Sequence, residues 1–284
     1  MSGMPVTVCG PASWNHLIRL DHLPAPVPHM QFATGSIRTV GGTSAGKAVH
    51  LTSLGVATAL HAQLGDDPEG SMVADALARA EVSLRRHPSS ATEQHVNLMT
   101  DAGERVSLYV AVPSEPTEDA LAAAEDALSS SDLAVIDLCR FGARLLERRA
   151  EAGWTAPMWT DLHDYNGRSE FHEPFLRAAE VVFMNDDAVD DPWALLASCV
   201  ARGPSLAVCT RGPAGAIALS ADGSRFEVDA VPTAVVDTNG AGDAFFAGFL
   251  ASFLRDGGIA QAMEAGAAQA VVALQSEAMH PRLG

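Results

Sequence analysis

The chain has 284 residues, with 35 Asp and Glu against 18 Lys and Arg and a formal net charge of −17. So large an acidic excess excludes a protein that coats nucleic acid, whose affinity rests on neutralising phosphates with Lys and Arg, but it leaves room for a nucleotide held locally by backbone amides and Mg²⁺. No apolar run is long enough to span a bilayer and no signal-type segment opens the chain; Cys9, Cys139, Cys199 and Cys209 lie in or beside apolar stretches without C-x-x-C spacing, so a cytoplasmic protein with reduced thiols and no membrane partner is expected.

Apolar runs at residues 6–9, 58–64, 133–138, 157–162, 181–184 and 206–209 read as strands. Stretches rich in Ala, Leu, Glu and Arg at 71–80, 118–128, 144–152 and 193–200 read as helices, that at 113–131 as an exposed helix with its flanks. Such alternation predicts an α/β fold, a mostly parallel sheet covered by helices on both faces, with ligands at the carboxyl ends of the strands. Two regions break the rhythm. Residues 17–40 carry Pro24, Pro26 and Pro28 and then an extended 31–40, and residues 94–112 read as a hairpin turning at 101–104.

Two segments carry chemistry. Gly41-Gly42-Thr43-Ser44-Ala45-Gly46-Lys47-Ala48 satisfies G-x-x-x-x-G-K, but Ala48 stands where a P-loop needs Ser or Thr for Mg²⁺. The run 133–137, apolar and ending in Asp137, imitates a Walker-B strand, a pattern common in any α/β protein. The second segment runs from Val236 to Gly248. Gly240, Ala241 and Gly242 leave backbone N–H groups uncovered at the start of an apolar helix over 244–253, whose first turn offers free donors and a positive dipole end. Asp243 stands where a base would take a proton from a hydroxyl; the plainer reading is a helix cap.

Asp237-Thr238-Asn239-Gly240-Ala241-Gly242-Asp243 resembles the D-T-x-G-A-G-D signature of the ribokinase-like (PfkB) carbohydrate and nucleoside kinases, and the following Ala-Phe-Phe-Ala-Gly matches as well. The resemblance implies a ribokinase-like three-layer sandwich forming one domain over 1–284, with 17–40 and 94–112 as a small β-sheet lid, through which two chains could pair. It implies Asp243 as base, residues 240–242 as the anion hole and Asp237 as a holder of a monovalent cation such as K⁺. Gly41-Gly42 and the turn at 65–70 resemble the G-G-x-x-x-N-x-A and L-G-x-D-x-x-G segments, with Gly46 where the family has Asn and Asn15 where it has Asp. Asn15, Gly42 and Gly46 are thereby assigned to the acceptor. Lys47 stands one helical turn from Thr43, where many sugar kinases carry Lys, so it either reaches a phosphate or lies solvated on a helix. On the nucleotide side, the segment 207–216 resembles V-T-x-G-x-x-G and assigns Thr210, Gly212 and Gly215 to ATP together with Asn185 and Asn239. The segment 181–188 resembles N-E-x-E, with Asp186 for one Glu, assigned to Mg²⁺ through water, and Ala188 for the other. Asp161, His163 and Asp164 close another strand and read as polar loop or metal ligands. The implied activity is transfer of the γ-phosphate of ATP to a hydroxyl of a sugar or sugar derivative; a nucleoside acceptor and a non-catalytic ligand binder are the alternatives.

Overall fold

The computed structural model describes residues 5–100 and 103–284. In chain order the strands are β1 (Val6–Cys9), β2 (Ser13–Leu20), β3 (Gly35–Gly41), β4 (Thr58–Gly65), β5 (Ser83–Ser89), β6 (Glu93–Thr100), β7 (Arg105–Ala111), β8 (Leu133–Ile136), β9 (Met158–Asp161), β10 (Val181–Asn185), β11 (Leu206–Thr210), β12 (Ala216–Ser220) and β13 (Arg225–Val228). The helices are α1 (Thr43–Ser53), α2 (Pro68–Arg79), α3 (Glu118–Ser129), α4 (Arg140–Ala152), α5 (Glu173–Ala178), α6 (Pro192–Val200), α7 (Ala241–Asp256) and α8 (Ile259–Leu274).

Nine strands form one sheet in the order β13-β12-β11-β10-β9-β8-β1-β4-β5, parallel from β11 to β5, with β12 and β13 added antiparallel at one edge. Because alternate residues of a strand face opposite sides, the apolar runs supply two cores at once. Val6, Val8, Val181 and Phe183 face α1, α2, α7 and α8, whereas Cys9, Ile136, Val182 and Met184 face α3, α4, α5 and α6. The α/β three-layer arrangement read from the sequence is therefore present. Helix α3 departs from its predicted exposure, since Leu121, Ala124 and Leu128 are buried in the second core.

The second sheet has four strands in the order β3-β2-β6-β7. It starts at Ser13, earlier than predicted, and so includes Asn15; the predicted hairpin is the antiparallel pair β6–β7. Asp101 and Ala102, at its predicted turn, lie outside the described residues. Strand β5 was not legible because Arg85, Arg86 and Pro88 erase an apolar pattern, which only an edge position tolerates. Among the described residues no helix is long and apolar enough to cross a membrane.

Candidate active site

A cleft of about 1900 Å³ opens between the carboxyl ends of the main-sheet strands and the four-stranded sheet. At its floor stands the start of α7. Gly240 caps the helix in the left-handed region, φ +81°, and any Cβ there would meet Met279 at 2.9 Å, so glycine is required both by conformation and by space. At Gly242 a Cβ would meet nothing within 4 Å. The turn itself therefore rests on Gly240. The Ala241 amide reaches Thr238 O at 3.4 Å.

Asp243 lies in the first turn of α7 and lines the cleft with 12% of its side chain exposed. It is not a cap. Its Oδ1 accepts from Thr43 Oγ1 and lies 3.2 Å from Lys47 Nζ. Burial pushes the Asp243 carboxyl above the ordinary aspartate value, opposed by the Lys47 ammonium and the Thr43 hydroxyl.

Lys47 is where sequence and structure part. It lines no part of the cleft; its side chain is wholly buried and neither solvated nor free to reach a phosphate. Its ammonium donates to Asp137 Oδ1 at 2.9 Å and to Thr43 Oγ1, and lies 3.5 Å from Asp161 Oδ2, with the Phe246 ring 5.0 Å away. Burial alone would lower the lysine pKa, but Asp137, Asp243 and Asp161 together hold it above the usual value. The two P-loop decoys thus do meet, Lys47 with Asp137, yet in the core: Ser44 Oγ also donates to Asp137 Oδ2 at 2.6 Å, and α1 has already begun at Thr43. Gly46 likewise does not reach an acceptor. It is buried under α7, where a Cβ would stand 2.8 Å from Asp243 Oδ2; the position is small so that Asp243 can lie over it.

Asp161 joins this network, and His163 Nδ1 lies 3.7 Å from its Oδ2. Burial raises its carboxyl, but His163 and Lys47 outweigh that and hold it below the ordinary value. Among the described residues no group of three or more His, Cys, Asp or Glu side chains could hold a metal ion, so the metal reading of Asp161, His163 and Asp164 is not supported.

Asn15 and Gly42 do line the cleft. Asn15 Oδ1 accepts from Ser13 Oγ at 2.7 Å, and its side chain fills the space that a Cβ on Gly41 would need. Gly42, at φ +90°, approaches Pro11 so closely that a Cβ would sit 2.5 Å from its carbonyl oxygen. Beyond Asn15, Glu93, His95 and Asn97 alternate along β6 into the same cleft, with Gln63 from β4; Asn97 Oδ1 is buried without a protein partner. Sequence reading missed this polar row, although its i, i+2 spacing on a strand was the available signal.

Asn185, Asp186, Thr210, Gly212, Gly215 and Asn239 gather on the other side of Asp243. Asn185 and Thr210 end adjacent strands in register, and Gly215 at φ +79° leaves no room for a Cβ, which would stand 2.0 Å from Val228 O. Asn239 Nδ2 is buried and unpartnered, a donor facing this half of the site. Asp237, like Gly46 and Lys47, does not line the cleft: it is buried and paired with Arg19 of β2 at 2.8 Å.

Residues 13–281 match the model of the pfkB family carbohydrate kinases. The chain belongs to that family. It is 31% identical over 252 residues to an acarbose 7(IV)-phosphotransferase of Actinoplanes sp., covering 86% of this chain and 83% of that one. It is 29% identical over 259 residues to a nucleoside kinase of Methanothermobacter thermautotrophicus, 87% and 81% of the two chains. Among solved structures, a microbiome-derived acarbose kinase superposes with a TM-score of 0.82 at 28% identity, covering 100% and 96% of the chains. Ribokinase of Arabidopsis thaliana, bound to ribose and ATP, superposes at 0.77 over 99% and 96%; its 20% identity speaks for the fold alone. As a pfkB carbohydrate kinase the protein is an ATP-dependent phosphotransferase with an alcohol group as acceptor.

Proposed function

We propose that this kinase phosphorylates a hydroxyl of a sugar or sugar derivative held between α7 and the four-stranded sheet, which acts as its lid, and that Asp243 is the base. The observation that carries the reading is Asp243 itself, a carboxylate in the first helical turn, facing the cleft and preceded by the Gly240–Gly242 turn that lines the same cleft. In the step we derive, the acceptor hydroxyl gives its proton to the Asp243 carboxylate and its oxygen forms a bond to the γ-phosphorus in line, while the bond to the β-phosphate oxygen breaks and ADP leaves. The amides at the start of α7 hold the charge on the transferring group. Lys47, through its contact with Asp243 and Thr43, is a positioning residue that keeps the base ionised and aimed. The row Asn15, Gln63, Glu93, His95 and Asn97 suits a polyol, whose hydroxyls both donate and accept.

ATP would lie along Asn185, Thr210, Gly212, Gly215 and Asn239. Mg²⁺ arriving with it would neutralise charge on the phosphates, and the protein would need to supply few of its ligands. The half-exposed Asp186, at the rim beside Asn185, fits a contact through water, although Ala188 offers nothing there. ATP use and four cysteines outside any disulfide support a cytoplasmic location. The exposed Val106, Leu108 and Val110 of edge strand β7 support pairing of two chains through the lid, which sedimentation would test.

A nucleoside is the second reading, favoured by Tyr109, whose ring lies 3.9 Å from that of His95 at the cleft wall and offers a base a surface on which to stack. ATP consumption across acarbose, monosaccharides, sugar acids, sugar phosphates and nucleosides separates the readings. Turnover with sugars and none with nucleosides is expected. Ligand binding without phosphate transfer to any of them would instead indicate a non-catalytic binder.

A further inference from the structure

Asp237 has only 1% of its side chain exposed, and it opens the loop that runs through Asn239 and Gly240 into α7. A carboxylate at that depth needs a counter-charge, because burial without one is costlier than a single hydrogen bond repays. The family resemblance would supply a monovalent cation. The structure supplies a guanidinium. Arg19 Nη2 donates to Asp237 Oδ2 at 2.8 Å and Nη1 points at Val236 O, 3.4 Å away, while Asp237 Oδ1 accepts from the Asn239 amide at 2.7 Å. Both carboxylate oxygens therefore have donors. The carboxylate and carbonyl oxygens that a hard cation would take face the two prongs of one fork. These residues do not fit a bound K⁺ unless Arg19 withdraws.

We infer that Arg19 is a tethered replacement for the monovalent cation, so that the kinase works without K⁺. Arg19 belongs to β2, in register with Gly35 of β3, and Asp237 belongs to the loop that shapes the anion hole; the pair ties the small sheet to that loop across 218 residues of sequence. A guanidinium is charged at every working pH and is not diluted by changes in salt composition, so the charge beside Asp237 is constant where a diffusible ion's occupancy would vary. No step of the phosphotransfer passes through Arg19.

The test compares K⁺, Na⁺ and tetramethylammonium chlorides at equal ionic strength, reading both turnover and thermal melting. Wild-type turnover and melting are expected to be the same in all three within about twofold and about 1 °C, since no ion site is left to fill. Arg19→Ala in tetramethylammonium should lose about tenfold or more in turnover and melt lower, because it strands a buried carboxylate, and K⁺ should restore both. Arg19→Lys keeps a tethered charge and should respond to K⁺ much less than Arg19→Ala. Several-fold stimulation of the wild type by K⁺ would overturn the inference, as would an Arg19→Ala protein indifferent to K⁺ in both readouts. Should Arg19→Ala not fold in any salt, the wild type and Arg19→Lys still decide. This inference takes its turnover arm from the kinase reading, whereas the melting arm needs no acceptor, so failure of the one is distinguishable from failure of the other.

Discussion

The two halves of the cleft are built from different materials. At the chemical end, where α1 meets α7, the site consists of side chains that hold one another: Asp243, Thr43, Lys47, Asp137 and Asp161 form one buried charge network. At the other end, proposed for the nucleotide, the ends of β10 and β11 present glycines, backbone and half-exposed polar groups such as Asn185 and Thr210. A network of mutual partners transmits any single change to Asp243. A surface made of backbone ignores most side-chain changes and fails only where a Cβ intrudes.

The largest effect tests whether the chemical end deserves its name. Asp243→Asn keeps the shape and removes the base, so turnover should fall about 10²–10⁴ while ATP binding, measured by calorimetry, stays near wild type. Unchanged turnover would remove Asp243 from the mechanism. Next comes Lys47→Met, which strands Asp137 in the core and takes the counter-charge from Asp161 and Asp243 at the cleft, and should cost about 3–5 kcal/mol in denaturant unfolding. It should also move the pH profile. The base must be ionised to work and burial raises its pKa, so kcat falls as pH drops through a value above the ordinary ~3.9. Without the Lys47 ammonium to oppose burial, that acid limb shifts to still higher pH, an effect a merely structural lysine would not produce.

Gly46→Ala pushes a methyl to 2.8 Å from Asp243 Oδ2, and a displaced base should lower kcat by about 10–10² with KM for ATP unaltered. Gly215→Ala is its counterpart at the other end, where strain of about 1–3 kcal/mol at a positive φ should raise KM for ATP and leave the pH profile in place. If Gly215→Ala shifted the acid limb, the two halves would not be separate. The smallest effect is expected for Asp186→Asn, a rise of about threefold in the Mg²⁺ needed for half-maximal rate, since water and phosphates do most of the coordination.

What was legible follows from the range over which each feature is specified. Asp243 and its glycine turn lie within one helical turn of each other, so the carboxylate, the uncovered amides and the helix start could be read as one unit. The core strands announced themselves by apolar runs, and the β6–β7 hairpin by two strand patterns with a turn between. Lys47 was misread because its place depends on Asp137, Asp161 and Asp243, which the ends of β8 and β9 and the start of α7 deliver. By spacing alone it was equally a surface lysine or a phosphate ligand.

By itself, then, the sequence determined the α/β architecture, the family and the place of Asp243 at the start of a helix, because local periodicity and a contiguous seven-residue turn specify them. Only the tertiary structure decided that Lys47 neutralises the core beneath Asp243, that Gly46 is small to let Asp243 lie over it, and that Asp237 already has a cation in Arg19. Charge compensation in a low-dielectric interior is set by distances of a few ångströms between residues far apart in the chain, and the fold alone brings them that close.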